Sequence, residues 1–571
     1  MDSPSSFLAP NGRLAARIPG WEPRPQQIVM ADLVAAAIDQ KKHAIIEAGT
    51  GTGKSLAYLI PAVLAATADQ AHQEENQPEQ QQQTGHEDQK LEKTNEKRPR
   101  RIVIATHTIA LQEQLVKKDI PLVSAVMPHE FSAVLVKGRG NYISLRRMEL
   151  AKEREGSLFQ YDEEVAELDG LLEWSGNTRD GSLADLPTIP RSSVWDEVHS
   201  DSGNCMGRTC PRYSDCHYFA ARRRMNNAQV LVVNHALFFS DLALRRSGVS
   251  LLPEYDIVIL DEAHMVESVA SDHLGVGLSS IAAERLLSRL YNERTNRGLL
   301  VHYKLDDLRP DVIQARRIAE DFFSGIIHAV ADRGDGPWRI LEPNLVPNTL
   351  GEVLLSLGRK IRKASDRLSS DAERQDFQSL ADRLTSQAGS IRFWLEQDDP
   401  GSVWWVELAN SRRGAPRVKL ASSPIDVSGV LRRDLFSKVD TVVLTSATLS
   451  TGTQSEAFDD TFDTENEHDA KEIGFHYLCE RLGVESAIKR QLDSPFDYES
   501  QAELVLVNRL PDPSSKHEYD RAVAEMLRSF VVDQQGRTMV LFTSHQALAS
   551  ASGELAGFCI RNKIRLVSQA D

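Results

Sequence analysis

The chain has 571 residues, 41% of them apolar and 26% charged, with five cysteines and a formal net charge of −16. That length suggests several domains, and the charge excludes a protein held to nucleic acid by bulk attraction, though not one with a local basic track. Five cysteines exclude a disulfide scaffold, and no apolar run reaches the roughly 18 residues of a membrane-spanning helix. The N-terminus has no basic-then-apolar leader, which predicts a cytoplasmic protein without membrane partners.

In chain order, HAIIEA (43–48) reads as a short buried strand, AGTGTGKS (48–55) as a glycine-rich turn and 54–67 as a helix, with a further strand at RIVIAT (101–106). Together they predict a βαβ unit. Its return is interrupted by 68–98, rich in Gln, Glu and Lys, which predicts a disordered insertion. Apolar strands follow at 133–137, 230–234, 255–264 and 441–448, as expected of a parallel sheet covered on both faces. Between 276 and 400 helical periodicity dominates and predicts an inserted helical domain. The loop 455–470 carries acids and no Lys or Arg, which predicts a solvated, mobile segment. ELVLVN (503–508), a helix over 519–533 and RTMVLFTS (537–544) predict a second α/β unit.

The turn Ala48, Gly49, Thr50, Gly51, Thr52, Gly53, Lys54, Ser55 follows a strand and opens a helix, the context of a phosphate-binding loop. Its glycines let backbone N–H groups face phosphates, Lys54 reaches the β/γ-phosphates of ATP, and Ser55 holds Mg²⁺. Asp261, Glu262, Ala263 and His264 end an apolar strand. There Asp261 is placed to hold Mg²⁺ and Glu262 to polarise the attacking water. Cys205, Cys210 and Cys216 fall within twelve residues, a spacing that reads as a metal or iron–sulfur site before a disulfide. Lys137, Arg139, Arg146, Arg147 and Lys152 precede these cysteines and Arg212, Arg222, Arg223 and Arg224 follow, interleaved with Tyr142, Tyr213, Tyr218 and Phe219. Cations for phosphates and rings for bases suit single strands; the competing reading is a solvated face over core aromatics. Trp404 and Trp405 read as core.

The phosphate loop and the Asp261–His264 box together resemble superfamily 2 helicases. RPQQ (24–27) resembles their Q-motif, with Gln27 at the adenine edge. The segment starting at Thr106 (106–115) resembles their first nucleic-acid block, and Thr445, Ser446, Ala447 and Thr448 the block coupling ATP state to strand movement. VLVKGRGNYISLRR (134–147), the cysteine spacing of 204–216, VVNHALFFSDL (232–242), LDSPFDYESQAEL (492–504) and MVLFTSHQAL (539–548) resemble the DinG branch, relatives of XPD.

The resemblance implies an α/β fold of tandem RecA-like P-loop motor domains with an inserted iron–sulfur domain and an inserted helical arch domain. It divides the chain into 1–130, the first part of motor domain one; 131–225, the iron–sulfur insert; 226–275, the Asp261–His264 part of motor one; 276–400, the arch; 401–452, the last part of motor one; and 453–571, an incomplete motor two. The implied activity is ATP-driven 5′→3′ translocation on single-stranded DNA and unwinding of forked or structured DNA in repair or replication, by a nucleoid-associated monomer; RNA stays open as the strand. Lys54, Asp261, Glu262 and His264 carry catalysis, and Thr106, Lys137, Arg139, Tyr142 and Arg146 DNA contact.

The family's cluster uses four cysteines, the first of which falls at Ser144. A 4Fe-4S cluster on Cys205, Cys210 and Cys216 is implied, with Ser144 or water on the fourth iron and His217 a weaker candidate; zinc and plain reduced thiols stay open. The chain stops at Asp571, before the family's last two motifs and their arginine finger. That predicts a truncated chain, which as it stands binds ATP and DNA and hydrolyses ATP poorly. The short stretch before Gln27 leaves no room for a leading nuclease domain.

Overall fold

The computed structural model describes residues 3–75, 100–159, 161–246, 248–334, 336–409, 416–451, 474–534 and 536–569. They fall into two compact units, Met1–Pro495 and Phe496–Asp571. No helix among the described residues is long and apolar enough to cross a membrane.

The first unit is mixed α/β, and its strands are β1 (His43–Ala48), β2 (Ile102–Thr106), β3 (Ala133–Leu135), β4 (Val230–Asn234), β5 (Ile257–Asp261), β6 (Val276–Ser279), β7 (Trp338–Arg339), β8 (Ser402–Ala409), β9 (Arg417–Pro424), β10 (Thr441–Ser446) and β11 (Ala487–Leu492). Seven make a parallel sheet in the order β11-β1-β10-β5-β2-β4-β3. Successive side chains alternate between its faces. Ala44, Ile46, Ile102 and Ile104 pack on helices Pro25–Asp39 and Lys54–Glu75. Ile45, Val103 and Ala105 pack on the opposite side with Phe238, Phe239, Leu242, Val266 and Cys479. Layers on both faces explain why these strands are apolar throughout.

Residues between β3 and β4 form the cysteine-bearing insert, with a small core of Ile143, Met148, Leu168, Leu171, Trp195 and Val198. A second insert separates β5 from β10. Its helices Ser280–Leu290, Arg309–Val330, Thr349–Ser365 and Asp371–Glu396 build the largest core, which includes Trp404. This insert is not all helix: β6, β9, β8 and β7 form a four-stranded antiparallel sheet. Residues 402–409 and 417–424 therefore lie in the insert's sheet, and the large parallel sheet resumes only at Thr441.

Three other expectations meet a different structure. Helix Lys54–Glu75 extends into the polar stretch, so residues 68–75 are helical; most of 68–98 and all of 455–470 lie outside the described residues. β11 joins the first sheet beside β1, although its residues 487–492 were expected in the second motor. Its Lys489, Arg490 and Gln491 are the polar side chains of an edge strand, and they hide it from a search for buried strands.

In the second unit, helices Lys516–Asp533 and His545–Arg561 meet through Leu527, Leu555 and Cys559. The expected strands 503–508 and 537–544 are irregular and form no ladder among the described residues. Runs apolar on both faces need a layer on each side; here Leu504, Leu506, Met539 and Leu541 are exposed.

Candidate functional site: a nucleotide site at the strand ends and a cysteine cavity

The carboxyl ends of β1, β10 and β5 lie side by side, the place where open α/β sheets bind ligands. β1 runs into the glycine-rich loop. Gly51 and Gly53 both adopt φ +83°, a conformation glycine takes without strain. Thr52 is buried and its hydroxyl donates to the Gly49 carbonyl at 2.8 Å, while the Lys54 ammonium donates to the Ala48 carbonyl at 3.2 Å. Thr50 lies exposed on the rim. Gln27 is buried and donates to the Gly53 carbonyl at 2.9 Å, and Arg24 reaches the Gly51 carbonyl. With Ile18, Trp21 and Leu56 they line a cavity of about 250 Å³, placed for a base beside the phosphate loop.

Asp261 ends β5, and its carboxylate accepts from the buried Tyr58 hydroxyl at 3.1 Å. Burial, with Glu262 adjacent, pushes its pKa up to about 6. A divalent cation reverses that cost, because it favours the ionised form. Ser55 begins the facing helix close to Asp119, a buried carboxyl whose pKa is raised by burial. Glu262 adopts a left-handed φ of 55°, an unfavourable backbone state of the sort that collects at functional sites. The Ser446 hydroxyl donates to the Glu262 carboxylate at 3.2 Å and lies 2.7 Å from His264 Nδ1. Thr445 is buried, while Ala447 and the exposed Thr448 continue toward solvent. The structure thus brings Lys54, Ser55, Asp261, Glu262, His264 and Ser446 to one edge of one sheet.

Four residues at this edge escape the sequence reading. Trp21 and Tyr58 belong to no phosphate-loop spacing. Glu47 and His235 are single buried polar residues inside apolar runs, which only a three-dimensional partner distinguishes. His235 is 1% exposed, and its Nε2 lies 3.2 Å from the Ala105 carbonyl. Burial pushes its pKa down to about 4. An imidazole with a folded pKa below the ordinary value near 6.5 stabilises the fold above pH 6.5, and that contribution is lost as pH falls towards 4. Between pH 7.5 and 4.5 we expect this residue to remove on the order of 2–3 kcal/mol. Urea midpoints at the two pH values should show it, and His235→Gln should shrink the difference.

The proposed DNA contacts need correction. Thr106 is fully buried at the end of β2, and its hydroxyl turns to the Thr108 carbonyl. Arg146 and Tyr142 are buried, the phenol pushed up to about 12 chiefly by burial. Lys137 donates to Asp180 at 2.9 Å and Ser182 at 2.7 Å. Arg139 lies 3.9 Å over the Tyr218 ring and bonds the Asp201 carbonyl. Charge counted along the chain is blind to acids that arrive from other elements. Arg208 and Arg223 stay exposed.

Cys205, Cys210, Cys216 and Ser144 line one cavity of about 20 Å³ with Arg146, Asn204, Tyr213 and Phe219. The thiols are free; burial raises the pKa of Cys216, with Cys205 and Cys210 adding to it. Ser144 also caps helix Leu145–Glu153. His217 packs against Gly181 and is not in the lining. Among the described residues no three His, Cys, Asp or Glu side chains stand close enough to share one ion.

Residues 25–146 match the DEAD/DEAH box helicase family and residues 204–282 the DEAD_2 family. The ATP-dependent DNA helicase YoaA of Escherichia coli (strain K12) is 30% identical over 542 residues, covering 94% of this chain and 74% of that protein. The ATP-dependent DNA helicase DinG of Photobacterium profundum is 26% identical over 594 residues, covering 96% of this chain and 77% of that one. A solved XPD helicase is 13% identical with a TM-score of 0.45, covering 93% of this chain and 74% of that chain.

Proposed function

The chain belongs to the YoaA/DinG family of ATP-dependent DNA helicases, and on that premise we propose how its residues divide the work and which strand polarity it follows. The observation that carries the reading is the meeting of Lys54, Asp261, Glu262, His264 and Ser446 at the ends of β1, β5 and β10. ATP lies with its base against Gln27 and Trp21 and its phosphates on the Gly49–Ser55 backbone. Lys54 neutralises the β/γ-phosphates, and Ser55 and Asp261 would hold the Mg²⁺ that offsets their charge. Glu262, turned outward by its left-handed backbone, orients the water that attacks the γ-phosphate in line. His264 and Ser446 form the hydrogen-bonded link from that base to the 445–448 block, so loss of the γ-phosphate is felt at β10. The chain steps 5′→3′ along single-stranded DNA and opens forked duplexes, in repair or replication, in the cytoplasm.

We read the cysteines as ligands of an iron–sulfur cluster, on the spacing of Cys205, Cys210 and Cys216. Cys205, Cys210 and Cys216 would each supply a thiolate to such a cluster, and Ser144, in the same lining, would stand at the fourth position. The donor set is soft, as iron–sulfur chemistry prefers. Held by these residues, a cluster would supply a cross-link between the loop 205–216 and Ser144, the cap of helix Leu145–Glu153.

A strand-displacement assay tests the polarity. A duplex with a single-stranded 5′ tail should be opened with ATP and Mg²⁺, and one with only a 3′ tail should not. Preference for the 3′ tail overturns the reading.

A further inference from the structure

Glu47 precedes the phosphate loop and is buried on β1, one strand in from the edge of the parallel sheet. β1 has β10 on one side and β11 on the other, and Glu47 stands opposite Ser446 in the first and Gln491 in the second. One carboxylate oxygen accepts from the backbone N–H of Leu449 at 2.5 Å and of Ser450 at 2.6 Å. The other accepts from the Ser450 hydroxyl at 3.2 Å and the Gln491 amide at 2.7 Å. Gln491 in turn donates to the Ser450 hydroxyl at 3.2 Å. Burial opposes ionisation, but these hydrogen bonds hold the pKa below the ordinary value, so the group is an anion at neutral pH.

Each end of this knot leads somewhere. Ala48, the next residue, carries the carbonyl that Lys54 contacts. Leu449 and Ser450 close the turn after the 445–448 block, whose Ser446 touches Glu262 and His264. β11 runs on towards Pro495, the last residue of the first unit, and Gln26 donates to the Ser494 carbonyl at 3.4 Å. Two successive backbone N–H groups form an anion-binding concavity, and here a carboxylate from the neighbouring strand fills it. A buried charge held by several hydrogen bonds moves with its partners, because leaving any donor unmet is costly.

We propose that Glu47 is a positioning residue that clamps the phosphate-loop strand to the 449–450 turn and to β11, so that nucleotide binding at Lys54 is transmitted to both. This rests on the reading of 48–55 as the ATP site and of 445–448 as the coupling block. Glu47 touches neither nucleotide nor the reacting phosphate.

The test is hydrogen exchange at the amides of Leu449 and Ser450, read on the full chain with and without a non-hydrolysable ATP analogue and Mg²⁺, for wild type, Glu47→Ala and Glu47→Gln. A Gln keeps one acceptor oxygen for both N–H groups, and Gln491 can turn its amide to meet the new NH₂. In wild type the two amides should be protected, and more so with nucleotide. In Glu47→Ala they should exchange about tenfold faster or more and lose the response to nucleotide, with analogue affinity within about twofold. Glu47→Gln should restore both. If Glu47→Ala keeps a nucleotide response at these amides, the proposal is overturned. It is likewise overturned if Glu47→Ala and Glu47→Gln lose analogue binding alike, as a general fold defect would cause. Failure of wild type to bind the analogue at all contradicts the ATP-site reading, and the nucleotide-free comparison of the two variants then still judges the clamp itself.

Discussion

Lys54→Ala should lower ATP hydrolysis by roughly 10²- to 10³-fold, the usual cost of deleting one preorganised group that stabilises transition-state charge. In the structure the Lys54 ammonium lies across the loop on the Ala48 carbonyl, with the Asp261 carboxylate near enough to feel its charge. On binding ATP the ammonium exchanges that carbonyl for phosphate oxygens, whose charge grows as the γ-phosphoryl departs. Arg24 does not substitute, being committed to the Gly51 carbonyl at the base end of the site. Steady-state hydrolysis at saturating Mg²⁺ checks the prediction, with Lys54→Arg as the companion. A guanidinium keeps the charge but not the compact shape, so it should recover little of the rate. An unaffected Lys54→Ala would remove the phosphate loop from the account.

The second large effect is structural. Asp376, on helix Asp371–Glu396, is 3% exposed and lies between two buried guanidiniums, Arg154 at 2.9 Å and Arg146 at 3.5 Å. Arg146 also bonds the carbonyl and side chain of Asn204, next to Cys205. Gln375 donates to the Gly203 carbonyl at 2.7 Å, and Arg383 pairs with Asp201 at 2.5 Å. One face of this helix thus grips residues 201–204. Asp376→Ala leaves two buried cations without their counter-charge, and removing one partner of such a group costs about 3–5 kcal/mol. Asp382→Ala, on the same helix, breaks only the exposed pair with Arg362 and should cost less than about 1 kcal/mol. Denaturation midpoints for the two variants should separate clearly. Equal midpoints would mean the Asp376 site is hydrated and the grip is weak.

The nucleotide site was legible because phosphate binding writes itself into a short stretch of chain. Glycines at 49, 51 and 53, a lysine and a serine are needed consecutively, and the backbone geometry at Gly51 and Gly53 supplies the reason. Asp261 was legible because it and Glu262 end an apolar strand downstream of a phosphate loop, where such a pair serves Mg²⁺ and water. Glu47 was not, since its partners Leu449, Ser450 and Gln491 come from a turn and a strand some four hundred residues later. The basic track misled for the same reason. Arg146 and Lys137 look free in the sequence, and Asp376 and Asp180 neutralise them in space. In the fold, the parallel strands showed their buried character directly. β8 and β9 did not reveal their sheet, because the helices around them dominate the pattern of that region, and β11 was hidden by its polar edge.

The central claim is that this site hydrolyses ATP in response to DNA. The direct measurement is steady-state ATP hydrolysis by the 571-residue chain with Mg²⁺, titrated with single-stranded DNA. The account predicts a rate, low for this chain, that rises saturably with DNA and falls to background in Lys54→Ala. Hydrolysis no greater than that of Lys54→Ala, with or without DNA, would contradict it.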